Sequence, residues 1–294
     1  MAEARCPTSG ATVLFCAGRV AARVLPDIRG KWRLEQFLRR LADSMVLPEE
    51  IVVRTLDGFR IQLHPADYLQ REIYLFGDWE REIAQRMCAL LHPGEVAIDV
   101  GSNIGYLTLH AARLVGPGGR VLGFEPNPAC YAQLQTNVAL NGFTQIETYP
   151  IALGDRQGQM LFYPDGGNNS GAGSLLQRSD SAPPIDVAID VLDAILERHP
   201  ALPGRIALVK IDVEGFEMSV LGGMTGLLSA ADGPAIICEI SEWSLEKNGT
   251  SHQALFDKMV SHGYDHEVIS PKSRSILAGG LDYFQYDALF RKRK

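Results

Sequence analysis

The sequence predicts an α/β fold on a mostly parallel sheet with an antiparallel strand at its edge, preceded by a helical and hairpin extension. Three observations predict it. Val96–Leu107, VAIDVGSNIGYL, reads as an apolar strand, a glycine-containing turn and the start of a helix. α/β sheets present ligands at such carboxyl ends of their strands. Downstream, short apolar runs alternate with helical patterns of about a dozen residues, which implies right-handed crossovers between parallel strands. Near the end, Tyr264–Ile269 and Tyr283–Leu289 read as two late strands with no helix between them, which suits an antiparallel pair.

The bulk numbers narrow the function class. The 294 residues are 46% hydrophobic and 21% charged, an ordinary globular composition with room for a large core. A net charge of −7 argues against phosphate-backbone binding, so no nucleic-acid partner is expected, and the basic Arg291–Lys294 reads as a solvated tail. Cys6, Cys16, Cys88, Cys130 and Cys238 are scattered without a C-x-x-C pair, which fits reduced thiols in a cytoplasmic protein. The most apolar stretch, Ala11–Leu25, is interrupted by Arg19 and Arg23. It reads as an amphipathic helix, not as a membrane span or signal peptide. Nothing indicates an oligomeric state.

The elements follow in order. Residues 1–30 carry weak order signals. Trp32–Met45 has apolar residues at helical spacing and stops before Pro48. Ile51–Leu63 reads as a hairpin around Asp57-Gly58. Asp67–Leu91 is helical in two pieces, broken near Gly77-Asp78. Strands are expected at Val96–Val100, Arg120–Phe124, Gln145–Tyr149, Arg205–Ile211 and Ala235–Ile240. Helices are expected at Ile104–Val115, Pro128–Asn141, Met218–Ser229 and His252–His262. This gives an N-terminal helical extension (1–48), a hairpin and helical lead-in (49–92) and a main domain (93–294). Gln159–Tyr163 and Ile185–Ile189 read as strands flanking Asp165–Ser181, a Gly/Asn/Ser-rich segment that is either a surface excursion or a lid.

Four acids fall at strand ends: Asp99, Glu125, Asp212 and Glu239. Gly101 lets the backbone approach a ligand, and Asn103 stands where the helix begins and can cap it. The spacing D-V-G-S-N-I-G lacks the third glycine of the dinucleotide fingerprint, which disfavours an NAD-type oxidoreductase. Glu125, about 20 residues on, is placed to accept ribose hydroxyls. Its rival role is an N-cap, because Pro126 and Pro128 follow. Asp99 is expected to fix the turn through backbone amides or to meet a cationic cofactor group. Asp212 and Glu214 could form a capping pair for the helix near Phe216, but Asp212 still belongs to a buried strand and needs a partner. Lys210 is either that partner or a substrate-facing base with a depressed pKa. Glu239 needs a ligand hydroxyl or a metal. Mg²⁺ on Asp212 and Glu239 is a thin ligand set with no supporting histidine, so no metal is expected. His64 and His110 read as structural.

Taken together, VAIDVGSNIGYLTLHAA, GFEPNP, LQTNVALNG, IALGD, VKIDVEGFEMSVLGG and IICEIS resemble the FkbM-type S-adenosylmethionine-dependent methyltransferases. So do Gly77-Asp78-Trp79-Glu80, the Asn168–Gly171 and Ser174-Leu175 loop, and Val191-Leu192-Asp193. The resemblance covers roughly residues 50–270. It implies a class I methyltransferase (Rossmann-like) sheet, S-adenosylmethionine as cofactor, and O-methylation of a hydroxyl on a sugar, polyketide or other small metabolite. By carry-over, Gly101, Ser102, Asn103 and Gly105 form the cofactor turn. Asp99 lies near the amino acid moiety, Glu125, Pro126 and Asn127 near the ribose, and Ala152 and Leu153 beside the adenine. Glu80 closes over the methionine end, and Asp212 borders both the cofactor and the acceptor. Ser102 departs from the small Ala common in the family. Asp212 is the candidate base, with Glu239 holding the acceptor. Methylation of nitrogen or of a protein, and a non-catalytic cofactor-binding scaffold, are the alternatives.

Overall fold

The computed structural model describes residues 10–25, 30–176, 182–276 and 282–293. The expectations for 1–9, 26–29 and 177–181 lie outside the described residues, as does Lys294 of the basic tail. The chain divides into two units, Met1–Trp79 and Glu80–Lys294.

The first unit contains α1 (Gly10–Val24), α2 (Lys31–Asp43), β1 (Ile51–Arg54), β2 (Arg60–Leu63) and α3 (Tyr68–Phe76). β1 and β2 form the expected antiparallel hairpin, with Val53 opposite Ile61. Asp67 caps α3 by accepting the Gln70 amide at 2.9 Å. At the other end of α3, Arg19 and Arg23 of α1 donate to the Tyr74 carbonyl, and the Arg19 guanidinium lies 3.6 Å from the centroid of the Tyr74 ring. These cations sit at the negative end of the helix dipole. They also explain why arginines interrupt the apolar stretch of α1.

The second unit begins with α4 (Arg81–Leu90), β3 (Val96–Val100), α5 (Tyr106–Val115), β4 (Arg120–Phe124), α6 (Pro128–Asn141) and β5 (Ile146–Tyr149). β6 (Ile151–Leu153), β7 (Gly158–Phe162), β8 (Ile185–Asp190) and α7 (Leu192–Glu197) follow. It continues with β9 (Ile206–Ile211), α8 (Glu217–Gly222), α9 (Thr225–Ser229), β10 (Ala235–Ser241), α10 (Glu242–Lys247) and α11 (His252–Ser261). It ends with β11 (Tyr264–Ile276) and β12 (Asp282–Lys292). Seven strands form the central sheet in the order β11-β12-β10-β9-β3-β4-β5. The β10–β9–β3–β4–β5 ladders are parallel, while β12 is antiparallel to both β10 and β11. This is the class I methyltransferase sheet. Its antiparallel strand stands one place in from the edge, because β12 inserts between β10 and β11. β3 is buried along its whole length, and the core gathers Val96, Ile98, Leu122, Phe124, Val209, Ile211, Ile236 and Ile240 on the sheet. Strands covered on both faces read as continuous apolar runs, which is how they were recognisable.

Two features depart from the sequence reading. Met218–Ser229 is two short helices, α8 and α9. The chain at Gly223 passes so close to Gly154 that a Cβ would stand 1.9 Å from the Gly154 carbonyl oxygen, and an unbroken helix would forfeit this approach. Ala152 and Leu153, expected beside the adenine at the end of the third strand, stand on a short strand that the sequence reading did not separate. They lie on β6, which pairs with β8 in a separate three-stranded sheet with β7.

Candidate active site

The carboxyl ends of β3, β4, β9 and β10 bring the strand-end acids to one edge of the sheet, as their parallel alignment requires. The turn after β3 is held by the neighbouring strand: the amides of Gly101 and Ser102 both donate to the Phe124 carbonyl at 3.0 Å. Gly101 has φ +81, and a Cβ there would stand 1.9 Å from the Asp212 carbonyl oxygen. Only glycine lets β3 and the end of β9 pass this closely. The Ser102 hydroxyl donates to the Asp99 carbonyl at 2.9 Å.

Asp99 is 3% exposed and does not hold the turn amides, which the β4 carbonyl has already taken. Its Oδ2 accepts the Thr108 hydroxyl at 2.5 Å, and its Oδ1 has no hydrogen bond but lies 3.6 Å from Lys210 Nζ. Burial raises its pKa, against the pull of Lys210 and Thr108. Lys210 also meets Asp212 Oδ2 at 3.3 Å and donates to the Gly101 carbonyl at 3.1 Å. Burial works against its charge, yet Asp212, Asp99 and Glu80 outweigh it and hold the ammonium pKa above its ordinary value. Lys210 is therefore the buried partner of the two aspartates, and its pKa is raised where a base would need it depressed.

Asn103 is not the cap of α5. It has φ +48, its Oδ1 accepts the adjacent Ile104 amide at 2.6 Å, and Gly105 occupies the N-cap position. Its own amide turns to Glu125, donating to Oε2 at 2.7 Å, while the Asn127 amide donates to Oε1 at 2.8 Å. Glu125 is not the cap of α6 either, since Asn127 fills that place and Pro128 opens the helix. Glu125 is 6% exposed, and burial pushes its pKa up to about 7 against these two amide bonds.

Glu239 finds its partner on β12: Gln285 Nε2 donates to Oε1 at 2.9 Å. Its cross-strand neighbour is the buried Asp287. One carboxylate oxygen each from Asp212, Glu214 and Glu239 lie within 4.8 Å of one another. Glu214 does not cap α8, whose N-cap is Phe216 and whose first-turn acid is Glu217. It has φ +52, so that Glu80, Asn103 and Glu214 are the non-glycine residues with positive φ among the described residues. Such conformations cost about 1–3 kcal/mol each and persist where the surroundings over-determine them. All three border the strand-end acids in sequence or space. Glu80 stands at the N-cap position of α4 without capping it and is one of the charges raising the Lys210 pKa. Sequence reasoning did not weigh Thr108, and it read Glu214 as a cap. The i, i+2 spacing of Asp212 and Glu214 was the available signal for the second.

This arrangement coincides with what the chain is similar to. Residues 99–265, more than half of the chain, match the model described as the methyltransferase FkbM domain. Methyltransferase 1 of Beauveria bassiana is 31% identical over 61% of this chain and 77% of that protein. The 31-O-demethyl-FK506 methyltransferase FkbM of Streptomyces tacrolimicus is 34% identical over 55% of this chain and 72% of that one. Among solved structures, Trm5b from Pyrococcus abyssi aligns with a TM-score of 0.44 and 14% identity, over 82% of this chain and 56% of that one. The family model begins at Asp99 and ends at Asp265, and so contains the turn and every strand-end acid described above; the chain belongs to the FkbM methyltransferase family.

Proposed function

We propose that the protein transfers a methyl group from S-adenosylmethionine to a hydroxyl of a small metabolite such as a sugar or polyketide, with Asp212 as general base. The observation that carries this reading is the convergence of Asp212, Glu214 and Glu239 within 4.8 Å, next to the lysine-clamped turn. The relative from Streptomyces tacrolimicus, named for a 31-O-demethyl substrate, is consistent with an oxygen acceptor.

The residues present suit the cofactor. Asp99 Oδ1 is a buried acceptor without a hydrogen bond at the end of β3, suited to an amino group. Glu125 has one amide on each oxygen and keeps a lone pair on each for ribose hydroxyls. Gly101, Ser102, Asn103 and Gly105 supply the turn between these acids. Pro126 and Asn127 would border the ribose, Ala152 and Leu153 the adenine, and Glu80 the methionine end. When bound, the cofactor supplies an electrophilic methyl on a sulfonium. The chain's task is to align the acceptor oxygen and remove its proton. Proximity provides much of the acceleration. Asp212, paired with Lys210, would take the hydroxyl proton as the acceptor oxygen bonds to the methyl carbon and the sulfur leaves. Glu239, fixed by Gln285, orients the acceptor.

Asp212→Asn tests the reading. It should bind S-adenosylhomocysteine within about twofold of the native protein by calorimetry and lose at least 100-fold in kcat, in line with the loss of a general base. Full turnover in this variant rules out Asp212 as base. A second reading follows from the excess of carboxylates over the one ammonium at the site: a cationic amine as acceptor. An amine needs less base assistance, and a methyl gain confined to amines in a mass-spectrometric screen would favour it.

A further inference from the structure

The Glu214-Gly215 turn is held by three side chains. Ser174, 2% exposed, donates its hydroxyl to the Glu214 carbonyl at 2.8 Å. Asn248, just after α10, donates Nδ2 to the Gly215 carbonyl at 3.0 Å. Glu217, on the first turn of α8, accepts the Gly215 amide at 2.9 Å. The segment that delivers Ser174 is itself internally bonded. Tyr163 and Ser174 exchange backbone hydrogen bonds at 2.8 and 3.1 Å. Between them, Asp165 accepts the amides of Gly167 and Asn169, and Asn169 accepts that of Gly171. The described part of the Gly/Asn/Ser-rich segment is thus a folded loop clipped by one buried hydroxyl to the turn bearing an acid of the site.

We infer that Ser174 is a positioning residue for the acceptor site, acting through Glu214. Its hydroxyl fixes the left-handed turn that brings the Glu214 carboxylate to Asp212 and Glu239. Without the latch, Glu214 relaxes toward the ordinary backbone regions, where a non-glycine residue is unstrained, and its carboxylate leaves the group. Glu217 still holds the amide of the same peptide and Asn248 the carbonyl of the next, so the turn loosens and the fold survives. The inference rests on the reading of this acid group as the acceptor site.

Three measurements test it on the full chain. In Ser174→Ala, amide exchange of the 212–217 peptide should rise at least tenfold, while the affinity for S-adenosylhomocysteine by calorimetry stays within twofold. With whichever acceptor the methyl-transfer screen yields, oxygen or nitrogen, kcat/KM should fall at least tenfold, chiefly through acceptor KM. Ser174→Thr, which keeps the hydroxyl, should restore most of the loss. Asn248→Ala removes the donor to Gly215 without adding charge, and should reproduce the Ser174→Ala pattern. Unchanged exchange in Ser174→Ala overturns the inference. So does a loss of S-adenosylhomocysteine affinity in step with kcat/KM, or a threonine variant as impaired as alanine. An acceptor nitrogen would sink the oxygen reading and leave each of these outcomes as decisive as before.

Discussion

Replacing Lys210 with methionine removes the ammonium that the buried Asp99 and the partly exposed Asp212 share, and keeps its volume. At 3.3 Å from Asp212 and 3.6 Å from Asp99, each pair attracts by about 5 kcal/mol at an effective dielectric of 20. Part of that attraction offsets the burial of the ammonium itself. Breaking a buried pair while leaving its partner charged costs about 3–5 kcal/mol, a large part of the roughly 5–15 kcal/mol that a domain has. The sign with pH follows from the groups involved. The Lys210 pKa is raised in the folded protein, so its stabilisation is present throughout the neutral range and is lost only in strong alkali. The Asp99 pKa is raised by burial even with the lysine present, and without it Asp99 is held neutral to higher pH still. The variant can therefore relieve its strain by protonation in acid but not in base. Its stability deficit should be largest near pH 8 and shrink toward pH 5, by about 1.4 kcal/mol per pH unit for each proton taken up. Urea unfolding followed by circular dichroism at the two pH values measures this. A deficit under 1 kcal/mol at pH 8, or one independent of pH, would refute the clamp.

Two further outcomes follow from the same turn. Gly101→Ala places a methyl group 1.9 Å from the Asp212 carbonyl oxygen in a left-handed backbone. It should cost at least about 3 kcal/mol, beyond the roughly 1 kcal/mol typical of a point mutant, and abolish S-adenosylhomocysteine binding; unfolding and calorimetric affinities near native would show the strands can part. Glu125 has its pKa pushed up to about 7, so the folded protein holds a proton that the unfolded chain releases from about pH 4.5. Its stabilising share is present below that pH and lost as pH rises through 7. Over the same range S-adenosylhomocysteine affinity should rise as the carboxylate forms, and Glu125→Gln should flatten both curves.

The parallel core was legible because strands covered on both faces must be continuously apolar, and because an acid at the end of such a strand has no solvent to pay for its charge. Val96–Val100 and Ile206–Ile211 were placed by that logic, and Asp99, Glu125, Asp212 and Glu239 with them. What each acid bonds to was not legible. The expected Asp99 amide bonds were taken by the Phe124 carbonyl, a matter of which strand lies alongside. The cap expected at Asn103 falls two residues on, at Gly105, because a left-handed residue redirects a side chain without changing the pattern of apolar positions. Lys210 shows the same limit from the other side. Its face of the strand was readable from i, i+2 spacing, but whether burial or two aspartates would govern its pKa depended on distances of 3.3 and 3.6 Å that no spacing encodes.

Glu214 was the hardest of these to read, and the reason is physical. An acid just before a helix is normally satisfied by the helix's positive end, so the local sequence favours a cap. The turn is instead fixed by groups 40, 33 and two residues away, Ser174, Asn248 and Glu217. Left-handed backbone at a non-glycine residue is a tertiary property, imposed by partners that only the folded chain brings together. An acid held against local preference and mutual repulsion gives the fold little stability, so substitution at Glu214, unlike substitution at Lys210, should touch chemistry and spare stability.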